Sequence, residues 1–277
     1  LFNFSVAKST GCVSFYIYVG NNERLEYHSL EMGTSIIALL AQHSFRIEAA
    51  VFYRERCPMT EIIGIIQVKG GVGRSTIATN LAAILSAHSP TLLIDCDLPQ
   101  ATSASWYATR QTSLPSEALS LATAANHLEL IDRIQEVADR YRYIIIDAPP
   151  RIAEMTRAII ILSHLCLIPL GASAAEIWST SDLLTTIDEA KNFKHDVDAR
   201  VLWTRYRAYT KEARELSEAV DSELKLKGLV ARIGYRVAYS EALARGLSVD
   251  DWNDTAAKDE FRSLVTEIEN ILGEKRS

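Results

Sequence analysis

The chain has 277 residues, 48% of them hydrophobic and 23% charged, which is enough to bury a full core and points to one large domain. Its net charge of -6 argues against a globally basic nucleic-acid binder and leaves only a local basic patch for such a role. Its four cysteines, Cys12, Cys57, Cys96 and Cys166, contain no C-x-x-C pair, which argues against a disulfide framework and against a thiolate metal site.

Residues 1–58 hold nine of the chain's 22 aromatic residues, have poor periodicity and are broken by turn residues such as Gly20-Asn21-Asn22. They show no basic flank, long apolar stretch or small-residue cleavage site of a secretory signal. We read them as an N-terminal extension without a legible function, better explained by a start codon placed too far upstream than by a small segment packed on the domain. The domain is expected at 59–277, where Met59 leads into the apolar run Ile62 to Val68. Further strands are expected at Thr91 to Asp95, Tyr143 to Asp147, Leu165 to Leu170, Arg200 to Thr204 and Leu229 to Ile233. Helical spacing appears between them at Ser75 to Ala87, Leu128 to Arg140, Ile152 to Leu162, Ala175 to Asn192 and Lys211 to Leu226. A final amphipathic helix carries Phe261, Leu264, Val265, Ile268, Ile271 and Leu272 on one side. Short apolar runs alternating with helices predict an α/β fold, a mostly parallel twisted sheet with helices on both faces. The longest apolar runs, Ala158 to Leu162 and Leu165 to Leu170, are separated by Ser163-His164 and fall short of a membrane span.

Chemistry concentrates at three strand ends. The segment Val68-Lys69-Gly70-Gly71-Val72-Gly73-Arg74-Ser75-Thr76 follows a strand and opens a helix, the context a phosphate-binding loop requires. Glycines allow the backbone N–H groups to curl round an anion, the helix N-terminus adds partial positive charge, and Ser75 offers a hydroxyl to Mg2+. The ordinary phosphate-loop pattern fails twice, with Val68 at its first glycine and Arg74 at its lysine. The segment instead resembles the deviant Walker A box, K-G-G-x-G-K-[ST], of the ParA/MinD-type P-loop ATPases. Asp95-Cys96-Asp97-Leu98-Pro99-Gln100 is similar to that family's switch I, D-x-D-P-Q, with Leu98 as an insertion. Tyr143 to Pro150, ending Asp147-Ala148-Pro149-Pro150, is similar to its Walker B and switch II. The resemblance covers roughly residues 59 to 273.

The resemblance implies ATP and Mg2+ as cofactors, with Lys69, Gly70, Gly71, Val72, Gly73, Arg74, Ser75 and Thr76 around the nucleotide. Lys69, the signature lysine, reaches across a dimer to the partner's nucleotide, and Arg74 holds the phosphates. Ser75, Asp95 and Asp147 serve the metal directly or through water. Asp97 suits the orientation of the attacking water, although Leu98 leaves the choice between Asp95 and Asp97 open. With arginine in place of lysine, slow hydrolysis is expected. The family also implies a homodimer with ATP, a ParB-like adaptor, nonspecific DNA and a cytoplasmic, nucleoid-associated location. Arg200 to Arg236 holds nine basic residues against five acids, and Arg205, Arg207 and Lys211 are the first DNA candidates. A MinD-like membrane-cycling ATPase is the alternative, disfavoured by Glu267, Glu269 and Glu274 on the terminal helix. A metabolic enzyme on the same scaffold is a further one.

Overall fold

The computed structural model describes the backbone of residues 3–9, 12–19 and 23–30, and residues 60–150, 153–171, 173–178, 180–207, 215 and 224–275. Two compact units result, Leu1–Arg46 and Ile47–Ser277. In the first, strands β1 (Asn3–Ser9), β2 (Cys12–Val19) and β3 (Glu23–Leu30) pair antiparallel in the order β1-β2-β3. The poor periodicity read for this segment therefore conceals an antiparallel meander, in which Gly20-Asn21-Asn22 falls between β2 and β3.

The second unit is built on β4 (Glu61–Ile65), β5 (Thr91–Asp95), β6 (Leu119–Thr123), β7 (Tyr143–Asp147), β8 (Leu165–Gly171), β9 (Ala199–Tyr206) and β10 (Lys227–Gly234). They form one seven-stranded sheet in the order β10-β9-β8-β4-β7-β5-β6, with every pairing parallel. The fold is thus the expected α/β class with a parallel sheet. Helices α1 (Arg74–Ser86), α2 (Thr102–Ser113), α3 (His127–Val137), α4 (Ala153–Leu162), α5 (Ala174–Trp178), α6 (Ser181–Ala190), α7 (Val237–Ala244) and α8 (Thr255–Glu274), with a 3-10 turn at Ala138–Arg140, complete the described elements. Strand β6 and helices α2 and α7 were not expected from the sequence, and the single helix read over Ala175 to Asn192 is divided into α5 and α6. The helix read at Lys211 to Leu226 lies almost wholly outside the described residues.

Successive side chains of a strand face opposite sides, and both sides of this sheet are covered, so its central strands are apolar between their ends. Ile63, Ile65 and Ile145 pack with α1 and α8 through Ile77, Leu81, Phe261, Leu264 and Ile268. Ile62, Ile66, Ile144 and Ile146 pack on the other side against α3, α4 and α6, through Leu130, Ile159, Ile160 and Ile187. Helix α4 comes so close to β4 that a Cβ at Gly64 would lie 2.5 Å from Ile159 and 2.7 Å from Ser163.

Helix α8 also closes the outer strand of the sheet. Glu267 accepts the backbone N–H groups of Val230 and Ala231, each at 2.8 Å, and Glu260 accepts that of Gly234 at 2.8 Å. The apolar side expected of this helix, Phe261 to Leu272, is buried in the core. Among the described residues no helix is long and apolar enough to cross a membrane.

Candidate functional site

Strand β4 lies at the centre of the sheet, between β7 and β8. A parallel sheet puts the loops that follow its strands on one edge, where open α/β folds bind ligands. The loop after β4 runs through Gly71 (φ 75) and Gly73 (φ 95), both in the left-handed region that favours glycine. Helix α1 starts at Gly73 without a side-chain cap, so its first N–H groups are not occupied by a cap residue of its own. Ile66 N–H donates to Leu167 O at 2.9 Å, and Thr204 Oγ1 to Val72 O at 3.1 Å. The loop is therefore tied to both β8 and β9.

Arg74 stands at the helix start with its side chain turned back under the loop. Its Nε donates to Ala148 O at 2.9 Å, and one Nη to Gln67 O at 2.7 Å and Lys69 O at 2.6 Å. Burial lowers its pKa, against the opposing pull of Asp147 and Asp97. The forked guanidinium thus bridges the phosphate loop to the segment after β7, which a single ammonium cannot do in the same way.

The acids take different positions. Asp147, at the end of β7, is fully buried; Ser103 Oγ donates to its Oδ2 at 2.7 Å, while its Oδ1 has no hydrogen-bond partner. Desolvation pushes this carboxyl up to about 6, against the lowering influence of Ser103 and, more weakly, Ser75, whose hydroxyl lies outside hydrogen-bond geometry for Oδ1. Asp95, at the end of β5, is also buried. Both its oxygens accept backbone N–H groups, Oδ1 from Asp97 and Oδ2 from Ala104, each at 2.9 Å. It therefore holds the turn after β5 and caps the first turn of α2 from outside the helix. Asp97 is half-buried at the head of that turn; its carbonyl accepts from Gln100 at 3.0 Å and Ala101 at 2.7 Å. Partial desolvation raises its carboxyl, with Arg74 opposing. Leu98 is 37% exposed, so the extra residue bulges outward and leaves Asp97 within the electrostatic reach of Arg74.

Arg74, Ser75, Asp95, Asp97 and Asp147 accordingly meet at neighbouring strand ends. Lys69 is on the other flank of the loop, its Nζ 3.5 Å from Glu176 Oε1. Of the DNA candidates, Arg205 is bound to Glu176 at 2.5 Å, Arg207 is exposed and lies 4.9 Å over the ring of Tyr235, and Lys211 is outside the described residues. Sequence reasoning missed Ser103 and Glu176. A buried serine in the first turn of an unrecognised helix leaves no hydrophobic signal, and Glu176 was hidden in a run read only as amphipathic.

The donor set fits a nucleotide triphosphate with Mg2+. Free space surrounds the position a Cβ would take at Gly70, Gly71 and Gly73, and the orphaned Asp147 Oδ1 beside Ser75 is an acceptor awaiting a cation or its water. Comparison with known proteins agrees. Residues 63–249 match the sequence model of the CobQ/CobB/MinD/ParA nucleotide binding domain. The chain is 30% identical over 217 residues to the maintenance of carboxysome distribution protein A of Gloeobacter kilaueensis, covering 75% of this chain and 94% of that one. A Cyanothece McdA–ATP complex has the same fold with a TM-score of 0.64 at 18% identity, covering 76% of this chain and 97% of that one. The septum site-determining protein MinD of Pyrococcus horikoshii, complexed with Mg-ADP, superposes with a TM-score of 0.61 at 18% identity, over 78% of this chain and 99% of its own. Since the matched span takes in more than half of the chain and all three strand-end segments, the chain belongs to the CobQ/CobB/MinD/ParA family of nucleotide-binding proteins, alongside the ParA/MinD-type ATPases.

Proposed function

We propose that the chain is an ATP-dependent dimerising ATPase that positions or partitions a cargo, hydrolysing ATP slowly until an adaptor protein of the ParB kind stimulates it. The observation that carries this reading is the gathering of Arg74, Ser75 and a half-satisfied, buried Asp147 beneath a glycine loop opening α1. Ser75 and Asp147 would hold Mg2+, with Asp95 further back; the ion would neutralise charge on the β- and γ-phosphates. Lys69 and the loop N–H groups would bind the phosphates, Lys69 those of the facing subunit. Asp97 orients the attacking water, because Asp95 already serves two backbone donors. The likeness to carboxysome-distribution protein A supports a positioning role over a metabolic one. The burial of the apolar side of α8 supports a cycle without a membrane step.

The reading places nonspecific DNA against the basic stretch, with Arg207 and Lys211 ahead of Arg205, whose guanidinium is engaged by Glu176. Such binding would depend on ATP and fall steeply with salt, because phosphate contacts summed over two subunits drive it. The deciding experiment is sizing of wild type and Lys69→Ala with a slowly hydrolysed ATP analogue. The wild type is expected to dimerise and the variant to stay a folded monomer. Dimers formed equally well by the variant would overturn the sandwich reading.

A further inference from the structure

A carboxylate is built into the wall beside the phosphate loop. Glu176, on α5, is buried. Its Oε2 accepts the N–H of Gly171 at 2.6 Å, and its Oε1 lies 2.5 Å from Arg205 Nη2 and 3.5 Å from Lys69 Nζ. The approach depends on Gly171 having no side chain, because a Cβ there would fall 2.7 to 3.0 Å from the carboxylate atoms. Arg205 reaches the same oxygen from a left-handed backbone, φ 51, which a residue with a Cβ adopts only at a cost. A strained residue, a missing side chain and three donors from three strand ends thus converge on one acid.

The three donors are not equivalent. A buried carboxylate is costly unless paired, and Arg205 with the Gly171 N–H already satisfies both oxygens of Glu176. Lys69 is the loose member: its side chain is 41% exposed and its ammonium stands at 3.5 Å. It can therefore leave without stranding a buried charge. We propose that Glu176 is a positioning residue for Lys69, holding the ammonium against its own subunit until the triphosphate of a facing subunit competes for it, with Arg205 remaining as counter-charge. The inference rests on the dimeric reading above, in which Lys69 acts across the interface. Glu176 then sets the ATP concentration at which two chains close on each other.

The test uses the full chain and two readouts. The first is the rate at which an amine-acylating ester labels Lys69 without nucleotide, followed by peptide mass spectrometry with Lys191 as control. The second is the concentration of a slowly hydrolysed ATP analogue that gives half-maximal dimer. Glu176→Gln keeps the shape beneath Gly171 and an acceptor for its N–H. It should speed Lys69 labelling and lower the half-maximal concentration by about 2- to 5-fold, the range of a partly exposed ion pair. Arg205→Asn, which tolerates the left-handed backbone, keeps Lys69 on Glu176 while removing the cation that shares its oxygen. It should move both readouts in the opposite direction. Labelling of Lys69 unchanged by either substitution would overturn the inference, as would faster labelling with an unmoved dimer midpoint. Labelling that shifts as expected while no form of the chain dimerises supports the Lys69–Glu176 pairing and removes the dimeric reading instead.

Discussion

Arg74 hydrogen-bonds three carbonyl oxygens that belong to two segments of the site, so its substitution acts on stability and on chemistry separately. Arg74→Lys keeps the charge but gives up part of this bridge. Charge-assisted bonds of this kind are worth about 1.5–3 kcal/mol, so the nucleotide-free variant should melt at a lower temperature. A compact ammonium nearer the phosphates should at the same time raise turnover, on the order of 10- to 100-fold. Thermal melts and steady-state phosphate release read the two effects, and an unchanged rate would show that arginine at this position does not limit turnover. Asp147 gives a second expectation. Its carboxyl is raised to about 6 from an ordinary 3.8, so the folded state holds the proton more tightly than the unfolded chain. The stability this contributes is present below about pH 4 and is lost as pH rises through about 6. Asp147→Asn cannot ionise, so without Mg2+ or nucleotide it should be more stable than the parent above pH 6, by at most roughly 3 kcal/mol. The two melting curves should converge near pH 4, and added Mg-ATP should reverse the order by stabilising only the parent.

At the level of elements, the strands with continuous apolar runs were legible because burial on both faces leaves no polar position to obscure them. Their observed ends fall within a few residues of those expected, except that β4 ends at Ile65 and passes the turn to the loop earlier than Val68. Strand β6 was missed because it is the outer strand opposite β10, with only Leu119 of its five residues buried. Helix α2 was missed for another reason. Its buried residues, Ser103, Trp106 and Arg110, have helical spacing, yet two of the three are polar and register in no hydrophobic pattern. Asp95 and Ser103 explain why such a segment folds: Asp95 caps it through Ala104 N–H, and Ser103 anchors it to Asp147. Farther along, Trp106 Nε1 donates to Leu247 O at 3.1 Å and Arg110 pairs with Asp251 at 2.7 Å. Ser103→Ala should therefore cost about 1 kcal/mol of stability. It should also raise the Asp147 carboxyl further, so Mg2+-dependent nucleotide affinity should fall more at pH 6 than at pH 8 by calorimetry. An equal loss at both would mean that Ser103 only anchors the helix.

For the whole molecule, the three strand-end motifs could be placed from sequence because each ends a buried strand, whereas their side-chain engagements could not. Lys69 was read as reaching across a dimer and Arg205 as a DNA contact, and nothing in the sequence pointed to Glu176 engaging both. The first unit was opaque because its aromatic-rich strands lack clean alternation. Every strand of the parallel sheet begins at or after Glu61, so residues 59–277 should fold and bind nucleotide alone. Because the second unit starts at Ile47, the comparison should include a chain starting there. An insoluble 59–277 beside a soluble 47–277 would place residues 47–58 inside the domain.

The treatment of β10 matters for a protein that would gather on one cargo. An unpaired outer strand is a template on which another chain's strand can add, and crowding favours that addition. Here the carboxylates of Glu267 and Glu260 occupy three of the outward N–H groups, in the place a neighbouring strand's carbonyls would take. Copies held close together therefore cannot extend the sheet through these groups.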